Sequence, residues 1–475
     1  MKLKDNFILM LLVILSSFLI FYQFTFIPKY LTFDEIEFTK LALSLSGKPY
    51  TPYSALATGH STLYFYTLLF SLKTFGINVF ALRLPAAIFG IFSVILFYFV
   101  SRLSFRSRLS RKRNLEVDFS VASLLRNDKW FAFLLGFIFL TSRWFLNFSR
   151  FAFEPTFLLF LELTSIYFLL RSSIILNEVK DLSRMRDNSN KLRDSSASPQ
   201  NDSFFLILSG LFAGLAFNSY TPGRIFFLLP LFLLTLKTLR TLKLYKLVYF
   251  IIPFLIIIAP LTLYLSTTKE TRVDQQFFLK NSKMTANEKI SGLWYNISSN
   301  TLMFFTKGDI NGRHNYPGKP SLNPILGILF IIGLIIAMKQ WNKSINQLFI
   351  FYFLLSFFPT LMTYPWENPN MLRTFTVIPS VVYFVGQGII VISNAVRNLV
   401  PTQAGRKNAP LDFSVASLPR NDKWFLAIIL LVILSSVYEL RTYFKYQAKV
   451  FEDSFEIKYP LEKAIIMKNP YEKTD

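Results

Sequence analysis

The chain has 475 residues, 52% of them hydrophobic, and a formal net charge of +23. It contains no cysteine and only two histidines, which excludes a disulfide framework and any recognisable zinc motif. The positive charge does not point to nucleic acid, because the basic residues gather between long apolar runs, as they do in the cytoplasmic loops of membrane proteins.

A bilayer core takes about 20 helical residues to cross. Residues 7–27 form the first such run; Lys2 and Lys4 precede it and predict a cytoplasmic N-terminus. The run lacks a small-x-small cleavage site and so reads as an anchor. Residues 28–79 follow as a long outer loop. Inside it, a helix is expected over 34–46, opened by Thr32 and Glu35 at capping-box spacing and closed by Gly47-Lys48-Pro49. Leu63–Phe75 is apolar but too short to span, which predicts a helix lying along the interface. The next span, 80–100, leads into a segment from Arg102 to Lys129 holding eight basic residues, which sets the orientation.

Further spans are expected at 130–146, 153–171, 204–219, 225–240, 247–266, 322–338, 347–363, 374–392 and 425–442, about eleven in all. The fold class is therefore an all-α integral membrane protein with interfacial helices in its first outer loop. Residues 1–442 make the polytopic domain. The outer segments are 28–79, 147–152, 220–224, 267–321, 364–373 and a short extracytoplasmic tail, 443–475.

Three inner loops carry related sequence. DFSVASLLRNDKWF (Asp118–Phe131) and DFSVASLPRNDKWF (Asp412–Phe425) differ at one position in fourteen, and DSSASPQNDSFF (Asp194–Phe205) is a weaker relative. Architectural repeats recur at a fixed period, and these do not. They read as a mobile DNA repeat translated in frame, producing insertions near 104–129, 172–203 and 393–424. Loop lengthening costs only about 0.6 kcal/mol per doubling, so such loops are expected to be tolerated and mobile. A basic surface for anionic lipid is the alternative.

Asp34 and Glu35 stand just after the first span. On spacing alone they fit a helix N-terminus, where acids gain from the dipole, as well as a catalytic carboxylate at the membrane surface. Farther along come Leu63-Tyr64-Phe65-Tyr66, Phe75-Gly76-Ile77-Asn78 and Ala81-Leu82-Arg83-Leu84-Pro85. This ordered set resembles the C superfamily of membrane glycosyltransferases, in particular the protein O-mannosyltransferase and lipid A aminoarabinose transferase branch. One departure stands out: Gly59-His60-Ser61-Thr62 occupies the place where many relatives have Lys-Pro-Pro. A lysine contact to the donor phosphate therefore does not carry over, and His60 is its candidate substitute.

The resemblance implies transfer of a sugar from a polyprenyl phosphate to a protein, lipid or glycan acceptor outside a bacterial plasma membrane. It gives Asp34 the role of base and Glu35 a place beside it, with Tyr64 and Arg83 in the conserved motif order. The leaving phosphate is a stabilised anion, so it needs fixed cations more than a strong general acid. Outer-loop candidates are Arg150, Arg224, Arg313 with His314 and Lys319, and Arg373; Glu154 resembles the family's second acidic position. Arg150 and Glu154 also have the spacing to pair with each other on a helix. Glu162 lies within a span and is expected to face the bundle. No cofactor is implied, and a carboxylate-bound divalent ion is not indicated, though oxygen sites leave little trace in sequence. Apart from donor and acceptor, membrane lipids are the expected partners. Two other readings stand: an O-antigen ligase or polymerase, which concentrates its site in a late outer loop, and a lipid or sugar transporter, which would show paired repeats or broken helices.

Overall fold

In the computed structural model, residues 3–110, 128–172, 199–241, 244–268, 270–399 and 420–467 are described. The repeat-bearing loops lie largely outside them. The expected apolar runs are helical over most of their length, the 130–146 run being divided between two helices. The first part of the chain gives α1 (Leu3–Phe21), α2 (Phe33–Ser44), α3 (Leu63–Phe75), α4 (Val79–Ser110), α5 (Asp128–Thr141), α6 (Arg143–Phe148) and α7 (Pro155–Arg171). After these come α8 (Pro199–Phe217), α9 (Leu228–Thr241), α10 (Tyr245–Thr267), α11 (Thr271–Gln276), α12 (Ala286–Leu302), α13 (Pro324–Lys339), α14 (Ser344–Leu361), α15 (Ile378–Leu399) and α16 (Arg420–Arg441). The only strands among the described residues are β1 (Tyr53–Ser54) and β2 (His60–Ser61), a minimal antiparallel pair.

This is an all-α membrane fold. Among the described residues, six helices are long and apolar enough to cross a bilayer: Val79–Phe105, Thr221–Leu239, Tyr245–Thr267, Ser344–Leu361, Phe375–Ser393 and Leu426–Ser454. Shorter apolar helices are Phe7–Phe21, Asp202–Phe217 and Pro324–Lys339. Packing between them relies on close backbone approach. A Cβ on Gly333 would collide with the Phe384 carbonyl, and one on Gly388 with the Leu329 carbonyl, so α13 and α15 touch along small residues as membrane helices do.

The local signals within residues 28–79 are realised. Thr32 accepts from Glu35 N–H, and the Glu35 carboxylate accepts from Thr32 N–H, both at 3.1 Å, a complete capping box at the start of α2. Helix α3 has the bounds expected of the interfacial segment and stops at Gly76, whose φ of +84° suits a residue without a Cβ.

Two differences matter for function. The 130–146 run breaks at Ser142, where α5 gives way to the short α6. The C-terminal segment, expected as a short extracytoplasmic tail, is packed into the molecule. Helix α16 continues through a π-helical turn, Thr442–Gln447, into α17 (Ala448–Ser454). Beyond it, Ile457 and Leu31 exchange two backbone hydrogen bonds, of 2.9 and 3.0 Å. Phe455 is fully buried against Phe151.

Candidate active site

The N-terminus of α2, the turn at 57–60, α11, the 309–314 loop and the 366–373 segment converge on one cavity of about 730 Å³. Asp34, His60, Arg313, His314 and Arg373 line it, so the structure gathers five of the expected site residues from segments far apart in sequence. Arg272, Glu37, Asp309 and Glu367 line it as well.

Asp34 presents its carboxylate from the first turn of α2, next to the capping residues that fix the helix start. Arg313 donates to it from Nη1 at 2.9 Å. Arg313 is aimed by the turn around it: its N–H donates to Asn311 Oδ1, and its carbonyl accepts from Asn147 Nδ2 at 2.8 Å. One helical turn earlier on α6, Arg143 donates to the Pro320 carbonyl at 2.8 Å, to Glu439 at 3.2 Å and to Asn315. The break at Ser142 thus frees a short helix whose Arg143 and Asn147 hold the loop that carries Arg313. Arg373 is paired with Glu367.

Arg272 differs from these. Its recorded partners are the Gly59 carbonyl at 3.2 Å and the His60 ring, and no carboxylate pairs with it among the described residues. Ala57, Thr58 and Gly59, just beneath it, have φ of +53°, +68° and +97°. Two successive non-glycine residues in the left-handed region carry about 1–2 kcal/mol each of strain, the kind stored at binding sites.

A second cavity of about 310 Å³ adjoins the first and shares Tyr220, Arg272, Gln276 and Arg373 with it. The rest of its wall is mostly apolar, including Ile225, Val273, Phe277, Phe358 and Met362. Arg272 and Arg373 therefore stand where a polar chamber meets an apolar groove. That arrangement suits an amphiphile with an anionic head and a hydrocarbon tail.

His60 lines the first cavity but is 5% exposed. Its Nδ1 lies 2.5 Å from the Glu154 carboxylate. Burial holds the His60 imidazole below its ordinary pKa, and Arg272 acts in the same direction, against Glu154. A neutral ring with its proton on Nδ1 fits both neighbours.

Other candidates stand away from the cavity. Glu35 is fully buried and bound to Arg83 through Nε at 2.8 Å and Nη2 at 3.1 Å, to Ala152 N–H at 3.2 Å and to its own cap. Arg83 spends its remaining donors on the carbonyls of Pro28 and Tyr30. The pair is a clamp between α2 and α4, and neither residue lines the two cavities. Arg150 and Glu154 do not pair. Arg150 donates to the carbonyls of Leu19, Ile20, Gln23 and Ile27, capping the end of α1, while Glu154 is taken by His60. Tyr64 is fully buried, which raises its phenol pKa well above the ordinary value. Lys319 turns away to Thr442 and the Tyr438 ring. Arg224 lines the apolar groove, paired with Glu270. Within the bundle, Glu162 accepts from Tyr352 Oη at 2.6 Å, facing inward as expected.

The residues missed from the sequence are Arg272, Arg143 and Glu367. Arg272 lies in Thr271–Gln276, a polar stretch without turn residues to mark it. The proximity of Glu367 to Arg373 was a usable signal for the third.

No family model and no curated protein matches the sequence. Solved structures do. The apo crystal structure of ArnT from Cupriavidus metallidurans matches with a TM-score of 0.50 at 13% identity, covering 94% of this chain and 76% of that one. The apo oligosaccharyltransferase of Archaeoglobus fulgidus matches with a TM-score of 0.50 at 13% identity, over 94% of this chain and 56% of that one. ArnT bound to undecaprenyl phosphate matches with a TM-score of 0.46 at 13% identity, over 96% and 77% of the two chains. The chain spans little more than half of the oligosaccharyltransferase. This chain shares the fold of ArnT and of the oligosaccharyltransferase.

Proposed function

We propose that this protein is a glycosyltransferase that moves a sugar from a polyprenyl-phosphate donor to an acceptor on the extracytoplasmic face of the plasma membrane. The observation that carries this reading is the cation Arg272, free of any carboxylate partner among the described residues, at the junction of the polar cavity and the apolar groove. The prenyl chain lies in the groove, and the phosphate meets Arg272 and Arg373. The sugar and the acceptor occupy the larger chamber with Asp34.

In this reading the acceptor hydroxyl gives its proton to Asp34 and attacks the anomeric carbon. The bond from that carbon to the phosphate oxygen breaks, and its electron pair leaves on the phosphate. Fixed guanidinium groups stabilise the developing charge without reorganising. A superfamily fold shared with ArnT supports the reaction class.

The test is incubation of membranes containing the protein with radiolabelled mannosyl and aminoarabinosyl polyprenyl phosphates. A labelled product that disappears with Asp34→Asn supports the reading. Full transfer by Asp34→Asn would instead favour a ligase whose chemistry lies in the late outer loop alone.

A further inference from the structure

The second histidine of the chain, His314, lines the same cavity and has no part in the scheme above. Its Nδ1 lies 2.9 Å from Asp309 Oδ2. Asp309 is 3% exposed and fully engaged: Oδ2 also accepts from Met371 N–H at 2.9 Å, and Oδ1 accepts from Asn311 N–H at 2.8 Å. A carboxylate so surrounded by donors is an acceptor toward His314, which places the imidazole hydrogen on Nδ1. The Nε2 lone pair is left without a hydrogen-bond partner among the described residues. Arg313, the next residue in the chain, is bonded to Asp34, and the side chains of Asp34 and His314 both line the chamber.

We propose that His314 is a second proton acceptor in this cavity, taking from Asp34 the proton that the acceptor hydroxyl gives up. The proposal rests on the glycosyl-transfer reading. The acceptor O–H bond breaks as its oxygen bonds to the anomeric carbon, and the phosphate departs with the electron pair of its C–O bond. The released proton resides on Asp34 and then crosses to Nε2, restoring the carboxylate for the next turnover. The resulting imidazolium is offset by Asp309, the arrangement by which a buried acid supports a catalytic histidine. The charged groups that share the chamber are Asp309 and Arg313 on the same loop, Asp34 and Glu37 on α2, Arg272 on α11, and Glu367 and Arg373 on the facing segment.

A loop clip would use His314 only as the donor to Asp309. His314→Asn keeps a donor near the Nδ1 position but cannot accept a proton, and His314→Gln, whose amide reaches the Nε2 position, serves if the first variant unfolds. Full-length protein in membranes is assayed with whichever radiolabelled polyprenyl-phosphate sugar the wild type transfers, across pH 5 to about 9. The expected result is a fall in kcat of about 10²-fold with the donor KM unchanged. The dependence of kcat on pH should also differ from that of the wild type. A wild-type kcat and pH profile in the variant, or a change in KM alone, overturns the role of His314 while leaving the transferase reading intact. Absence of transfer by the wild type with every donor removes both.

Discussion

The Asp34 carboxylate and the Arg313 guanidinium meet at 2.9 Å although 279 positions separate them in the chain. They join the start of α2 to the 309–314 loop. The Asp34 side chain is 42% exposed, so it faces the chamber rather than the protein interior.

Removing that charge should therefore affect chemistry and spare the fold. Asp34→Asn should lower the transfer rate by about 10²–10⁴-fold, the usual share of a positioned base. Thermal unfolding in detergent should be unchanged. A variant that transfers normally would end the assignment of Asp34.

Arg272 carries a different expectation. A charge-assisted hydrogen bond to a buried anion is worth about 1.5–3 kcal/mol, or a factor of roughly 10–150. Arg272→Gln should raise the donor KM by that factor in initial-rate measurements, with a smaller change in kcat. Arg224, already paired with Glu270, should give a weaker effect when replaced by glutamine.

Glu35, adjacent to the proposed base, should behave as a structural residue. Breaking one partner of a buried ion pair costs about 3–5 kcal/mol, because the other charge is stranded. Glu35→Gln strands Arg83, both fully buried here, so the melting temperature should drop. A Glu35→Gln protein as stable as wild type but inactive would instead restore a catalytic role.

His60 makes stability depend on pH. Burial depresses its pKa, so the folded state refuses a proton that the unfolded chain accepts. The unfolded state then binds more protons as pH falls below the ordinary imidazole value of about 6.5, and stability decreases until the lower folded pKa is passed. Above that ordinary value the contribution is flat. Unfolding midpoints measured from pH 8 down to about 5 should fall less steeply in His60→Gln than in wild type.

Much of this site was legible in the sequence, for identifiable reasons. Asp34 follows a recognisable anchor within a capping box, and Arg313, His314 and Arg373 sit in turn-rich segments between apolar runs. Such signals are local. What stayed hidden depends on pairings across long separations: Glu35 with Arg83, 48 positions away, and His60 with Glu154, 94 away. Each turned a candidate ligand contact into an internal bond or a supporting one. Arg272 was hidden for the converse reason, since nothing in Thr271–Gln276 distinguishes a cation lacking a carboxylate partner from a solvated one.

The backbone exchange between Leu31 and Ile457 also bears on how the protein is made. During synthesis residues 28–79 emerge long before the residues that brace them, and Phe455 can reach Phe151 only after α16 and α17 have left the ribosome. A nascent chain that has not yet reached Ile457 would thus present Leu31, just ahead of the α2 cap, without its backbone partner.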